Sequence, residues 1–504
     1  MSDLPSLVIV GGGSAGWLTA SYINSVVNAD RRVVDVTLVE SPAVGRIGVG
    51  EATVPSIRET LSRIGIGEKE FLRSADATFK SAIGFKNWLH NDGEVYFHPF
   101  DQRTPKGRAD TAARDWLGSA RDVPWADTVS IMNHLNRDGH APKALGWPDY
   151  GSVFPYAYHM DAEKFAGTLA DFSKARGVRH IEALVTDVTV GEGDQISSVT
   201  LDSGDTLAGD FFVDCSGFRA LLIGKALGGD YVDFGQYLMC DRAVAIRVPY
   251  DVHRPGPTKP YTMSSALSSG WSWDIPLQGR RGTGYVYSSQ FISDDEAEAE
   301  LRAYEGPHAA DLPAKRLQFR VGRRANPWIG NCIAIGLSSG FIEPLESSAL
   351  YTVEASIAAL LEHVDFGDLG NSQRSTAMRD AYNGHIARLY DEILEFVNLH
   401  YCLTRRDDTA FWREVQKPER IVPALAKRLN IWEHKPPTQY DFETPLQLFS
   451  VGSYEYILFG MDAPEQAGAG GIKTPVQVPQ DIVTGAAKSK AKFPSHDDWL
   501  AALG

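Results

Sequence analysis

Lys80 stands in a stretch that is otherwise mostly small and apolar, Ala77-Thr78-Phe79-Lys80-Ser81-Ala82-Ile83-Gly84-Phe85. An ammonium buried without a partner is costly, so a lysine so placed is either paired or chemically employed. Read alone, the stretch favours a lysine with a buried stem and a solvated head. Gly270-Trp271-Ser272-Trp273-Asp274-Ile275-Pro276-Leu277 sets two tryptophans at i and i+2, on one face of a strand. Ordinary sheet packing is their plain reading. Glu346, just before Ser347 and Ser348, reads as a first-turn carboxylate favoured by a helix dipole. His98 and Phe100 share one face of the alternating run Val95-Tyr96-Phe97-His98-Pro99-Phe100, where they line a flat pocket or fill a core. His159 has no second ligand at a useful spacing, so no metal site is expected.

The element that must position such side chains lies near the start. Val8-Ile9-Val10 runs into Gly11-x-Gly13-Ser14-Ala15-Gly16, and Trp17-Leu18-Thr19-Ala20 continues as a helix. Gly11 permits the tight turn, Gly13 the approach of a pyrophosphate and Gly16 close helix packing, while the helix N-terminus offers free N–H groups. Glu40 ends the next apolar strand, where a ribose-binding carboxylate belongs. A dinucleotide is therefore expected here.

Further on, Ser56 is placed to cap a helix, and Asp161 another with Phe165, Leu169 and Phe172 at helical spacing. Runs at Ile181 to Val190, Ile196 to Leu201 and Thr206-Leu207 read as a meander, followed by the apolar strand Phe211 to Asp214. Residues Tyr231 to Phe291 are β-rich, Asn331 to Gly340 repeats the strand and small-residue turn, and Ser372 to Thr404 and Asp408 to Trp432 are helical. From about Ala463 to Lys492 no strong period is visible, so an irregular tail is expected, with a short helix near Trp499. The pattern divides the chain into 1–100, 101–180 (an excursion and helix), 181–220 (meander and apolar strand), 221–330 (β-rich), 331–365 (strand, turn and helix) and 366–504 (helical, with an irregular tail).

At 504 residues two intimately packed domains are expected. A net charge of −15 argues against nucleic-acid or anionic-membrane partners. Cys215, Cys240, Cys332 and Cys402 lack CxxC spacing and fit buried thiols in a reducing cytoplasm. Neither a signal peptide nor an apolar run of about 18 residues is evident, so no membrane association is expected.

The Gly11 turn, Lys80, Trp271-Ser272-Trp273-Asp274-Ile275-Pro276 and Pro344-Leu345-Glu346-Ser347 occur in an order and spacing that resembles the flavin-dependent halogenases, especially the tryptophan halogenase group with its WxWxIP signature. The likeness covers about residues 5 to 460. It implies an α/β fold, a Rossmann-like, monooxygenase-like FAD flavoprotein with two dinucleotide-binding parts, a β-rich substrate region and a mainly helical C-terminal part. By the same resemblance 1–100, 181–220 and 331–365 contact FAD, the last of these also carrying the active-site helix, and 221–330 is the substrate region. It also implies FAD, supplied as FADH2 by a separate NAD(P)H flavin reductase, together with O2 and chloride or bromide; halide becomes hypohalous acid and attacks a small aromatic substrate.

In that resemblance Lys80 hydrogen-bonds the hypohalous acid or forms a haloamine, and Glu346 stabilises the ring cation, polarises the oxidant or takes the ring proton. Cofactor contacts fall at Gly11, Gly13, Ser14, Ala15, Gly16, Glu40, Ala52, Val185, Leu337 and Leu350, and halide at Ser348 and Ala349. Trp271 and Trp273 form a barrier between flavin and substrate, and His98, Phe100 and Tyr454 form the substrate pocket. Ser348-Ala349 replaces the Thr-Gly usual in tryptophan halogenases, from which a preference for bromide is expected. Where tryptophan enzymes carry a Tyr-Tyr pair and a glutamate for the amino-acid group, this chain has Ser453-Tyr454-Glu455-Tyr456. The substrate expected is therefore indole or another electron-rich arene, with free tryptophan second. A flavin monooxygenase and a non-catalytic FAD-binding protein are the rival readings, and a homodimer is left open.

Overall fold

Ser6–Val10 is a strand with parallel partners on both sides, Asp35–Glu40 and Phe211–Asp214. So flanked, it must be apolar on both faces, and Leu7 to Val10 are buried. The computed structural model describes residues 4–43, 50–101, 103, 110–369, 375–462 and 473–503. Contacts divide the chain into two units of three stretches each: Met1–Ala77, Met160–Asp233 and Phe319–Asp391 in the first, Thr78–His159, Phe234–Gln318 and Glu392–Gly504 in the second.

The first unit is built on a six-stranded sheet in the order Trp328–Ile329, Cys332–Ala334, Phe211–Asp214, Ser6–Val10, Asp35–Glu40, Arg179–Glu182. Helix Ser14–Val27 packs on helix Ala162–Lys174, where Ser21 and Ser173 hydroxyls meet at 2.6 Å. Asp161 caps the second of these helices as expected, accepting from the amides of Glu163 and Lys164. A three-stranded antiparallel meander, Val185–Val190, Ile196–Leu201 and Thr206–Ala208, contributes Ile196, Val199 and Leu201 to a core shared with Val8, Val10, Val39 and Phe212. This is the Rossmann-like α/β plan that the motifs imply.

A seven-stranded sheet forms the second unit: Ala314–Gln318, Arg242–Pro249, Arg280–Tyr287, Gly270–Pro276, Tyr261–Leu267, Ala82–Lys86, Val95–Pro99. It is antiparallel except where Tyr261–Leu267 runs parallel to Ala82–Lys86. Helix Asp294–Glu305, opened by a Ser293/Glu296 capping box, covers Val244, Ile246, Tyr285 and Tyr287 with Ala297 and Leu301. Ile386, Leu389, Ile393, Leu394 and Val397 are buried along the long helix Thr376–Cys402.

Three local expectations need correction. The run Ile181 to Val190 is two strands: Arg179–Glu182 joins the parallel sheet and Val185 opens the meander, because Ala183 donates to Glu40 O and Leu184 to Asp202 Oδ1 between them. Ser56 occupies an N-cap position but makes no side-chain cap bond. The tail contains a regular helix, Gln480–Lys492, while residues 463–472 lie outside those described. Its apolar period is missing because it packs through small residues: a Cβ on Gly485 would lie 2.5 Å from Ile131, and Ala486 is buried. No helix among the described residues is long and apolar enough to cross a membrane.

Candidate active site

In the first unit, Gly11 adopts φ +118°, and a Cβ there would lie 2.2 Å from the Cys215 carbonyl oxygen. Gly16 is equally constrained, with a Cβ 1.9 Å from Gly11 O. Gly13 differs: a Cβ there would meet nothing within 4 Å. It stands extended at the N-cap of helix Ser14–Val27 with no side-chain cap bond. The space above Gly13 and the uncapped turn Ser14-Ala15 therefore suit a pyrophosphate, and the chain fits the flavin dinucleotide that the motif implies.

Glu40 lies folded over this turn, where a Cβ on Gly12 would come within 1.9 Å of its Oε2. Its Oε1 accepts from Trp17 Nε1 at 3.2 Å and lies 3.1 Å from His180 Nε2. Trp17, His180 and Gly12 thus orient the candidate ribose ligand, which sequence spacing alone did not indicate. Asp214 was missed as well: buried at the end of its strand, it accepts from Ser216 N and Oγ and from Leu222 and Ile223 N, at 2.6–2.9 Å. Ser338 Oγ bonds its carbonyl, tying the Leu337 turn to this strand, and at Gly336 (φ +75°) a Cβ would lie 2.8 Å from Ala15 Cβ. Ala52 and Val185 are half-buried and Leu350 is buried. Burial pushes the carboxyl of Glu51, beside Ala52, up to about 7.

Glu346 ends the tight turn Pro344–Glu346. Ser347 then takes the left-handed conformation, φ +59° and ψ +30°, and Ser348 enters helix Ala349–His363 with its carbonyl accepting from Thr352 N. A non-glycine residue held in that region is over-determined by its surroundings. Glu346, Ser347 and Ser348 are all buried.

Lys80 belongs to the second unit. Strand Thr78–Lys80 pairs antiparallel with Ala157 to His159, in the register Thr78↔His159 and Lys80↔Ala157. Its side chain is 0 % exposed, and Nζ stands 4.5 Å from the centroid of the Phe100 ring. Phe100 is held by its own amide, which donates to Ser81 O, and Ser81 N donates to Pro260 O. The solvated-head reading of Lys80 therefore fails. His159 bonds Thr262 Oγ1 at 2.8 Å and Thr78 Oγ1 at 3.3 Å. Burial, then Lys80 and His496, hold its pKa well below the usual imidazole range, so it is neutral.

Aromatic rings cluster around His98 and Tyr454. His98 is buried against the rings of Phe396 and Tyr456, 5.7 and 5.9 Å away. Tyr454 packs between Phe396, Phe442 and Trp432, and its buried hydroxyl has no hydrogen-bond partner among the described residues. One residue on, Glu455 is 1 % exposed and is gripped by Arg103, with Nη2 to Oε1 at 2.6 Å and Nε to Oε2 at 3.3 Å. Arg103 also pairs with Asp110 and lies over the Trp125 ring. Trp271 and Trp273 meet edge to face at 6.3 Å. Gly284, opposite Trp273, leaves room for the indole, since a Cβ there would lie 2.2 Å from the ring.

A family profile described as tryptophan halogenase matches residues 6–471. Tryptophan 6-halogenase SttH of Streptomyces toxytricini is 36 % identical over 99 % of this chain and 98 % of its own. Among solved structures, Tar14, a tryptophan C-6 flavin-dependent halogenase (chlorinase) from taromycin biosynthesis, superposes with a TM-score of 0.89 at 34 % identity, covering 99 % of both chains. BrvH, a flavin-dependent halogenase from Brevundimonas sp. BAL3, gives 0.83 at 32 % identity over 99 % of both.

Proposed function

The chain belongs to the tryptophan halogenase family and is a flavin-dependent halogenase using FADH2, O2 and halide, and from that premise we propose that Lys80 and Glu346 carry the halogenation of an uncharged, indole-type arene. The burial of Lys80 against Phe100 is the observation that carries this reading. Gly11, Gly13, Ser14, Ala15, Gly16, Glu40, Ala52, Val185, Leu337 and Leu350 are assigned to FAD, which with O2 supplies the oxidising equivalent that turns halide into hypohalous acid. A separate NAD(P)H flavin reductase delivers FADH2, since the chain has one clear GxGxxG turn.

In the halogen-transfer step the Lys80 ammonium donates a hydrogen bond to the hypohalous oxygen. The carbon–halogen bond forms as the oxygen–halogen bond breaks, and the departing hydroxide takes a proton from Lys80 and leaves as water. Glu346 accepts the ring proton, and proton return to Lys80 closes the cycle. Ser348 and Ala349 are assigned to halide, and Trp271 and Trp273 to the barrier between oxygen chemistry and arene. Nζ of the buried Lys80 lies 4.5 Å from the Phe100 ring, an aromatic face that favours a cationic amine, and the neighbouring His159 imidazole is neutral.

His98, Phe100 and Tyr454 are assigned to the arene. Arg103 engages Glu455, so that carboxylate is not offered to a substrate ammonium; this supports indole over free tryptophan. Calorimetry with both ligands checks that order, which tight tryptophan binding without indole binding reverses. Replacement of the usual Thr-Gly by Ser348-Ala349 supports bromide over chloride, and equal turnover in a competition assay removes that preference. The primary test combines protein, FAD, a flavin reductase, NADH, O2, indole and either halide, with Lys80→Ala alongside. Haloindole that vanishes in the variant supports the reading; hydroxylated indole moves the chain to the monooxygenases.

A further inference from the structure

Glu354 has no part in the chemistry above, yet it is only 8 % exposed. It projects from helix Ala349–His363 and each of its oxygens accepts a hydroxyl from another helix, Ile57–Ile64: Ser56 Oγ to Oε1 at 3.2 Å and Thr60 Oγ1 to Oε2 at 2.6 Å. Ser56 sits at the N-cap of that helix, so the hydroxyl that ordinarily bonds its own first turn is diverted to Glu354. Burial, against the lowering effect of the Thr60 and Ser56 hydroxyls and with a smaller push from Glu59, itself paired with exposed Arg63, holds the Glu354 carboxyl up at about 7.

A buried carboxylate that faces hydroxyls and, among the described residues, no cation is a costly joint between two helices, and apolar packing joins helices at lower cost. What the carboxylate alone offers is a rigid fork of two acceptors that fixes both hydroxyls at once. The two helices it joins are not arbitrary. One follows the segment Gly50–Ala52, which carries the flavin-assigned Ala52; the other begins at the halide-assigned Ser348-Ala349.

We propose that Glu354 is a positioning residue that sets the Ser348-Ala349 turn against the flavin-side segment through Ser56 and Thr60, and so couples halide binding to flavin binding. The proposal rests on the halide and flavin assignments above. The joint is built within one unit of the fold from residues 294 and 298 positions apart in sequence.

The test measures the FAD dissociation constant by flavin fluorescence, with and without saturating bromide, and the bromide KM and kcat, in wild type, Glu354→Gln and the double variant Ser56→Ala/Thr60→Val. Bromide is expected to tighten FAD binding in wild type. The double variant should abolish that tightening and raise the bromide KM about fivefold or more, with kcat at saturating bromide within about twofold of wild type. Glu354→Gln keeps one acceptor oxygen and the shape, and should fall between the two. Absence of tightening in wild type overturns the proposal, as does a double variant that melts earlier while keeping wild-type FAD and bromide parameters. If bromide and FAD are coupled through Glu354 but indole is not halogenated, the functional reading falls and the Glu354 proposal stands.

Discussion

Lys80 Nζ faces the Phe100 ring at 4.5 Å, and both side chains are placed by main-chain bonds through Ser81. An aromatic face attracts the ammonium without offering a carboxylate to neutralise it, an interaction of about 0.5–2 kcal/mol in a desolvated setting. Phe100→Leu is therefore expected to lower kcat/KM by about 2- to 30-fold at unchanged FAD affinity. Lys80→Met, similar in length, should remove product formation by at least about a hundredfold. Product mass spectrometry alongside flavin fluorescence checks both, and full activity in Lys80→Met would remove the lysine from the mechanism.

Glu346→Gln keeps the size of the side chain and its place in the Pro344–Glu346 turn, but it cannot take a ring proton. Arene halogenation should fall by about 10²–10⁴. Hypohalous acid formation should persist, read by trapping with an added thioether. Equal loss of trapped oxidant and haloarene would move Glu346 from proton acceptance to the making of the oxidant.

Gly13 and Gly12 separate two uses of a glycine. Because a Cβ on Gly13 meets nothing within 4 Å, Gly13→Ala should fold with wild-type thermal stability. The same Cβ fills the space assigned to pyrophosphate, so FAD affinity should drop by about tenfold or more. In Gly12→Ala the new Cβ displaces Glu40, and both flavin affinity and melting temperature should fall. Tight FAD binding by Gly13→Ala would place the cofactor elsewhere.

His496 accepts from Phe79 N through Nε2 and donates through Nδ1 to Thr258 O, which fixes the neutral tautomer. Burial lowers its pKa from 6.5 to about 4. As pH falls through that window the unfolded chain takes up a proton that the folded chain refuses, so stability falls by up to about 3 kcal/mol. Asp101, raised to about 6, and Glu51 and Glu354, raised to about 7, act in the opposite sense, losing stability as pH rises towards those values. A comparison with His496→Asn isolates the histidine. In urea unfolding the wild-type advantage should shrink by about 3 kcal/mol between pH 7 and pH 4, whereas a constant gap would mean that the imidazole does not titrate in this range.

What the sequence made legible is what neighbouring residues decide. The approach of Gly16 to Gly11, the Asp161 cap and the tryptophan strand are set by residues a few positions away, and all are found where spacing puts them. The hydroxyl of Ser56 was misjudged because a carboxylate 298 residues on outcompetes the local cap. Arg103 with Glu455, and His496 with Phe79, are separated by 352 and 417 positions, and no local pattern marks either pair. The helix Gln480–Lys492 escaped because Gly485 and Ala486 carry its packing, and small residues leave no hydrophobic period to read.

Each unit draws on early, middle and late chain, and this sets an order of events during synthesis. The sheet around Ser6–Val10 cannot add its Cys332–Ala334 strand until translation has passed that point. The backbone beside Lys80 waits longer still, since the Phe79 amide finds its acceptor only when His496 has left the ribosome. Nascent chains must therefore hold exposed apolar strands for most of their elongation, which predisposes them to aggregation.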